Sequence, residues 1–346
     1  MFDLQRLTAT VQQNCDISDA RYAGDYSLCV YLLKMREYYR WEQGYSLTAA
    51  LPHDALGIWL SDREQRWQEM QGRPFMPLPI NGHRVDPFSS GSINDELIPK
   101  GLVYGAGYGQ FAKPHFFLGE LLHREERDGF EILISSCELA RDMVAPPAMF
   151  QGTTIYVRRE SVRRVMWERV EEWRWHRSGK AMERALAGYG PTQDDEQLLE
   201  AMTEAEIETI VLHELGEGSA SRALGPEWSD MLLAIAHSRA EIVARAVRDH
   251  LADALSTLPA LLDSSRDASL HFYFASLRGM RRALYPELVA AYERWTEQGD
   301  RHTLRTTVLA GQEQWLQRAR TMLSIYAQHG PGCAPSLEAL FQTQLT

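Results

Sequence analysis

Apolar residues recur at helical spacing along most of this chain, and that spacing changes only in its middle. Residues 18–43 carry apolar side chains on most sides of a helical wheel, which predicts a helix buried over most of its surface. A second helix is predicted from Pro52 to Met70, because a proline suits the first helical turn. The N-terminal part is therefore expected to contain a helical pair.

The middle of the chain has a different pattern, with frequent proline and glycine. Asn81-Gly82 lies between short apolar runs and predicts a β-hairpin. Residues 118–126 predict a short helix, whereas 130–136 and 153–157 are rich in the residues that favour strands. A small sheet is therefore expected here.

From Ser161 onward the pattern is helical. Long helices are predicted over residues 196–217, 227–257, 267–296 and 302–328. The sequence thus predicts an α+β fold that is predominantly α. We expect a mixed helix-and-sheet domain over residues 1–177 and a helical-bundle domain over 196–346, joined by a charged linker.

Composition narrows the class of protein. Hydrophobic residues make up 45% and charged residues 24% of 346 residues, a balance typical of globular chains with room for two cores. The formal charge of -11 argues against binding to nucleic acid and to anionic membranes. The four cysteines form no Cys-x-x-Cys pair, and no secretory signal or bilayer-spanning run is recognised, so a cytoplasmic protein is expected.

No nucleotide cofactor is expected either. The glycine-rich run Tyr104–Gly109 lacks the Lys-Ser/Thr of a phosphate-binding loop. The expected partner is a small molecule or another protein, and the sequence is compatible with a homo-oligomer.

The candidate chemistry lies on the predicted helix around residues 208–217. His213 and Glu217 are four residues apart, so they share a helix face and could hold one metal ion. His237 and Glu241 repeat that spacing on the next predicted helix. Glu214 falls on the apolar face, where a carboxylate must find a partner, take up a proton or bind a cation. A divalent metal site among the C-terminal helices is therefore predicted.

The run His213-Glu214-x-x-Glu217 resembles part of the His-Glu-x-x-His motif of zincin metallopeptidases. In that family two histidines one turn apart hold zinc, and the glutamate between them is the general base. The resemblance implies that His213, Glu217 and His237 are ligands and that Glu214 is the catalytic base. The second and third ligands are reversed here, since glutamate precedes histidine.

A second version of the site uses the following helix. Asp249 and Asp253 are four residues apart on its apolar stripe, with His250 near the edge, and His271 comes from the next helix. Glu37, in the buried stripe of the first predicted helix, is a further candidate ligand. Such a carboxylate-rich bundle suits iron or manganese, as in ferritin-like di-metal proteins, whereas the first version suits zinc.

Other interpretations stay open. The same groups could be buried ion pairs, and Glu120 and His123 have a di-metal ligand spacing if residues 118–126 are helical. Residues 158–180 hold eight basic against four acidic side chains, interleaved with tryptophans, which is also typical of a protein interface. A non-catalytic interaction or scaffold protein is therefore the alternative to a metal-dependent enzyme.

Two further segments, 15–23 and 113–121, resemble a bacterial family that has no assigned activity. The resemblance spans most of the chain. It implies a bacterial cytoplasmic protein and transfers no functional residue.

Overall fold

The computed structural model describes residues 2–109, 112–176, 179–190, 194–264 and 266–341. The chain divides into two compact units, Met1–Trp167 and Glu168–Thr346. Helices and a small sheet make up the first unit, and helices alone make up the described part of the second. The predicted fold class, α+β and mostly α, is confirmed.

Helices and strands alternate irregularly in the first unit. Its helices are α1 (Leu4–Tyr22), α2 (Leu28–Glu42), α3 (His53–Met70) and α4 (Ser90–Leu97), and α5 (Arg159–His176) begins in it. Its strands are β1 (Leu78–Ile80), β2 (His83–Val85), β3 (Leu102–Tyr108), β4 (Pro114–Arg127), β5 (Phe130–Arg141), β6 (Ala148–Gln151) and β7 (Thr154–Arg158).

The main sheet has the strand order β3-β4-β5-β7-β6. Strands β5 and β7 are parallel, and the other neighbours are antiparallel. Helix α1 packs on this sheet, with Leu7 and Val11 in the same apolar cluster as Phe116 and Leu118 of β4. Burial of these side chains is what fixes α1 to the sheet.

Three of the predictions for the middle of the chain are confirmed. Strands β1 and β2 form the hairpin, and Asn81 and Gly82 have φ angles of 48° and 85°, as a type I′ turn requires. The strands predicted over 130–136 and 153–157 are parts of β5 and β7.

The short helix predicted over residues 118–126 is wrong, because this segment is part of β4. It pairs with β3 on one side and β5 on the other, and this pairing outweighs the local pattern. Glu120 and His123 therefore lack the helical ligand spacing, and exposed His123 lies 3.4 Å from the Glu125 carboxylate.

The single helix predicted over residues 18–43 is two helices, α1 and α2, separated by a short 3-10 turn that contains Gly24. Glu37 is buried as expected, with 2% exposure, but Val30 and Leu33 are 41% and 55% exposed. Helix α2 buries only its C-terminal half, so the prediction of a helix buried on most sides is wrong.

The second unit is a helical bundle. Its helices are α6 (Lys180–Gly188), α7 (Asp195–Leu224), α8 (Glu227–Ala234), α9 (Arg239–Ala252), α10 (Leu258–Asp263), α11 (Asp267–Ser276), α12 (Gly279–Leu284), α13 (Pro286–Gln298), α14 (Arg301–His329) and α15 (Ala334–Ala339). Its core joins α9 to α14, with Val243, Val247 and Trp315 in one cluster.

The helix predicted over 227–257 is interrupted twice. Between α8 and α9 the chain turns at His237, which has a φ of 64°. Between α9 and α10 lies a π-helical turn, Asp253–Thr257, in which the Leu258 amide donates to the Asp253 carbonyl. Pro259 follows and has no N–H to continue an ordinary α-helical ladder, which accounts for the wider turn at this point.

Candidate metal centre

Two helices of the C-terminal unit, α7 and α9, come unusually close together. A Cβ atom on Gly216 would lie 2.3 Å from the carbonyl oxygen of Ala252, so only glycine fits between the backbones. This contact sets the polar residues on either side of Gly216 opposite the C-terminal end of α9. The sequence Glu214-Leu-Gly-Glu217 thus places the glycine that permits the helix contact between two acidic residues.

His213, Glu217 and Asp249 meet at this crossing. Each offers a ligand atom, and these atoms lie within 4.8 Å of one another; no other group of three or more such residues was found in the described ranges. The Nε2 atom of His213 is 3.7 Å from Oε1 of Glu217. The side chains of His213 and Asp249 are 25% and 23% exposed, so the group is open to solvent.

Asp253, at the start of the π-helical turn, fixes the imidazole of His213. Nδ1 of His213 donates to Asp253 Oδ1 at 2.7 Å, which leaves Nε2 on the side of Glu217. The Asp253 carboxylate is 1% exposed and also accepts from the Tyr273 hydroxyl at 2.7 Å and from Arg281. Metal-binding histidines are commonly held in this way by a carboxylate on the other ring nitrogen.

Two arginines supply positive charge to the same cluster. Arg248 donates to Glu217 Oε1 at 2.9 Å, and Nε of Arg281 lies 3.9 Å from Asp249 Oδ2. With a protonated His213, these cations can balance the ionised carboxylates without a metal. Asp249 has the longest of these contacts and is the carboxylate most available to another cation.

In the His213–Glu217 pair, each residue stabilises the charged form of the other. Burial alone would lower the pKa of His213, but the carboxylates of Asp253 and Glu217 raise it well above its usual value. Burial alone would raise the pKa of Glu217, but Arg248 and His213 lower it to about 2. The imidazolium and carboxylate forms are therefore favoured together.

The remaining carboxyl groups behave differently. Burial and the neighbouring charge of Glu217 raise the pKa of Glu214 to about 8. Burial also raises the pKa of Asp249, although Arg281 opposes the effect. The protonated form of half-buried Glu214 is thus favoured beside ionised groups, a pattern found at many functional sites.

The structure does not bring His237 and Glu241 to these ligands. His237 lies in the turn before α9, so the two residues do not share a helix face. Glu241 instead accepts from the His237 amide at 2.8 Å and pairs with Arg245, while Ser238 accepts from the Glu241 amide. Glu241 therefore takes part in a helix-capping arrangement, which Ser238-x-x-Glu241 could have revealed in the sequence.

His250 and His271 both pack against aromatic side chains. The His250 ring stacks on Trp315 at 4.5 Å, and its Nε2 donates to the Arg281 carbonyl at 2.8 Å. Burial lowers the pKa of His250 to about 4, so the ring is neutral. His271 stacks on Trp295 at 5.0 Å, and its Nδ1 lies 3.0 Å from the Tyr292 hydroxyl.

Glu37, the remaining predicted ligand, belongs to the first unit. Its carboxylate lies 2.7 Å from Arg36 and 3.2 Å from Arg40. The structure therefore gives it ion-pair partners and no place in the group of His213, Glu217 and Asp249.

The arginine- and tryptophan-rich segment is partly an ion-paired helix. In the second unit, Arg174 pairs with Asp195, and Arg278 pairs with Glu172 of α5. Trp175 is 84% exposed. These ion pairs neutralise part of the positive charge that the sequence places in this segment.

Comparison with known protein families identifies a family that has no assigned activity. The chain belongs to the family of unknown function DUF6866: the model of its N-terminal domain matches residues 6–158, and the model of its C-terminal domain matches residues 163–344. The predicted membership of such a family is confirmed. No curated protein and no solved structure was found to match the chain.

The C-terminal domain of the family contains the whole candidate centre, from His213 to Arg281. Among the described residues, no helix combines the length and the apolar character needed to cross a bilayer.

Proposed function

We propose that the C-terminal unit binds one divalent metal ion through His213, Glu217 and Asp249 and uses it in hydrolysis. The observation that carries the proposal is the convergence of three ligand atoms from α7 and α9 within 4.8 Å. The orientation of His213 by Asp253 adds to it, because this hydrogen bond turns Nε2 to the ligand side, where a metal ion would replace its proton.

The donor set favours a particular group of metals. One imidazole nitrogen and two carboxylate oxygens suit Zn²⁺, Mn²⁺ or Fe²⁺. A di-metal oxidase needs a second set of ligands, and the described residues supply one group of three. A single ion is therefore the better fit to this bundle.

The chemistry follows from an open metal site. Three protein ligands leave a coordination position for water, and a bound divalent ion makes that water more acidic. Glu214, one residue from His213, is the group we assign to accept that proton, in the ionised form that a nearby bound cation would favour. Besides burial, the charges of Glu217 and Asp249 both help to raise the pKa of its carboxyl.

Metal binding tests the proposal directly. Protein purified without a histidine tag is stripped with a chelator and titrated calorimetrically with ZnCl₂ and with MnCl₂. We expect one ion per chain and at least a ~10-fold weaker affinity in Asp249→Asn, which corresponds to about 1.4 kcal/mol.

His237→Asn is the matched control, because asparagine tolerates the positive φ at this position. It should bind metal like the unaltered protein. Absence of binding, or equal losses in Asp249→Asn and His237→Asn, would overturn the proposed ligand set.

Hydrolysis is tested separately with Glu214→Gln. Metal binding should persist, whereas turnover of p-nitrophenyl ester or phosphate probes by the metal-loaded protein should fall by about 10²- to 10⁴-fold. A metal-loaded protein that hydrolyses none of these probes, or a Glu214→Gln variant that hydrolyses them at the original rate, would contradict the hydrolytic assignment.

A further inference from the structure

A cavity of about 520 Å³ opens in the first unit between the end of α1, the start of α2 and the end of α3. This volume lies within the range of roughly 300–1,000 Å³ that is typical of small-molecule sites. Its walls include the aromatic side chains of Tyr26, Tyr31 and Trp67, and Glu64 lies at the same opening. The proposed metal chemistry uses none of these residues.

The charged residue that lines the cavity is acidic. No lysine, arginine or histidine is among the described residues that line the cavity, and Glu64 is the charged residue among them. The Tyr31 hydroxyl donates to Glu64 Oε1 at 2.9 Å and holds the carboxylate in place. Glu64 is exposed, so its carboxylate is accessible to a ligand.

The aromatic walls add attraction for a cation. The face of an aromatic ring attracts a positive group within about 6 Å of its centroid. Tyr26 already makes such a contact, because Nζ of buried Lys113 lies 5.8 Å from its centroid. That ammonium is paired with the Asp19 carboxylate at 2.6 Å, so it does not add an unpaired positive charge beside Tyr26.

From these observations we propose that the cavity binds an alkylated ammonium group, held by the aromatic side chains of Tyr26 and Tyr31 and by the carboxylate of Glu64. Aromatic walls with a nearby carboxylate are the chemistry by which proteins recognise methylated ammonium ions. The ammonium group belongs either to a free small molecule or to the headgroup of a choline lipid. This inference is independent of the metal centre.

The first experiment isolates the charge of the ligand. Choline and 3,3-dimethyl-1-butanol have nearly the same shape, but only choline is cationic. Titration calorimetry should show choline binding at least ~10-fold more tightly, since cation–π contacts contribute about 0.5–2 kcal/mol each. Equal affinities, or no binding of choline at millimolar concentrations, would overturn the proposal.

Variants then test the walls. Tyr26→Phe keeps the ring and should bind choline normally, whereas Tyr26→Leu should bind at least ~10-fold more weakly. Tyr108→Leu removes another tyrosine of the same unit, which is 68% exposed, and should have no effect. Full choline binding by Tyr26→Leu contradicts the assignment.

Glu64→Gln provides a variant whose folding is not in question, because Glu64 is exposed. This substitution should also weaken choline binding. An unchanged affinity would show that the carboxylate is not part of the binding site. Sedimentation with phosphatidylcholine vesicles distinguishes the two sources. If the protein sediments with the vesicles and Tyr26→Leu does not, the ligand is the lipid headgroup. If the protein stays in solution, the ligand is a free small molecule.

Discussion

Two clusters of acidic, basic and imidazole groups, one in each unit, differ in how completely their hydrogen bonds are satisfied. In the first unit, Asp19 accepts from Lys113 at 2.6 Å and from the Met143 amide at 2.8 Å. Asp142 in the same cluster lies 3.1 Å from His115 and accepts two backbone amides at 2.9 Å. Both carboxylates are 0% exposed.

The cluster of the second unit is open by comparison. His213 and Asp249 are about one-quarter exposed, and the ion-pair contact that the described residues give Asp249 is a long one, 3.9 Å to Arg281. Similar residue types therefore give two different outcomes. A closed cluster stabilises the fold, whereas an open cluster has ligand atoms to offer.

The largest expected effect concerns the closed cluster. Lys113→Ala leaves the buried Asp19 carboxylate without its cation, and we expect a loss of about 3–5 kcal/mol in the free energy of unfolding. Urea denaturation measures it. Lys100→Ala, which breaks the surface pair with Glu96, is the control and should cost no more than about 1 kcal/mol. Similar losses in both variants would show that the closed cluster does not stabilise the fold.

The next effect concerns the helix contact that supports the open cluster. Gly216→Ala would place a Cβ atom 2.3 Å from the Ala252 carbonyl oxygen, so α7 and α9 must move apart. We expect a loss of about 1–3 kcal/mol in stability and weaker binding of Zn²⁺.

Gly57→Ala is the matched control for this prediction, because nothing lies within 4 Å of the added atom in α3. It should stabilise the protein by about 0.5–1 kcal/mol. Unchanged metal affinity in Gly216→Ala would show that the contact between α7 and α9 does not position the metal ligands.

Much of the local structure could be predicted from the sequence, because it depends on neighbouring residues. The spacing of His213 and Glu217 survives in α7, and Asn81-Gly82 specifies its own hairpin. The interruption before α9 has a local signal as well, in the Ser238 cap. That signal outweighs the apolar periodicity that continues across residues 227–257.

The combination of ligands could not be read from the sequence in the same way. His213 and Glu217 come from one predicted version of the site, and Asp249 comes from the other. Their meeting depends on the close approach of α7 to α9, which no single helical wheel contains. Arg281, 28 residues beyond Asp253 along the chain, had no sequence signal that linked it to the cluster.

A further effect is the pH dependence of stability in metal-free protein. The folded-state pKa of Glu217 is about 2, so its contribution is present above about pH 4.5 and is lost as the pH falls towards 2. Glu214 has the opposite sign. Its folded-state pKa of about 8 lies above the unfolded value, so the protein loses stability as the pH rises from about 4.5 through 8.

Melting temperatures measured across this range should therefore fall towards alkaline pH, and His213, whose pKa is also raised, acts in the same direction. Glu214→Gln should show a shallower alkaline decline. Identical slopes for Glu214→Gln and the unaltered protein would contradict the burial of an acidic proton at this position.

Anomalous diffraction from crystals soaked in ZnCl₂ would locate a bound metal ion without relying on activity. We expect one strong zinc peak in the C-terminal unit, about 2.0–2.2 Å from His213 Nε2 and from oxygens of Glu217 and Asp249. A zinc peak bound elsewhere, or fully occupied surface sites with none at these three residues, would show that the open cluster is an ion-pair network and not a metal centre.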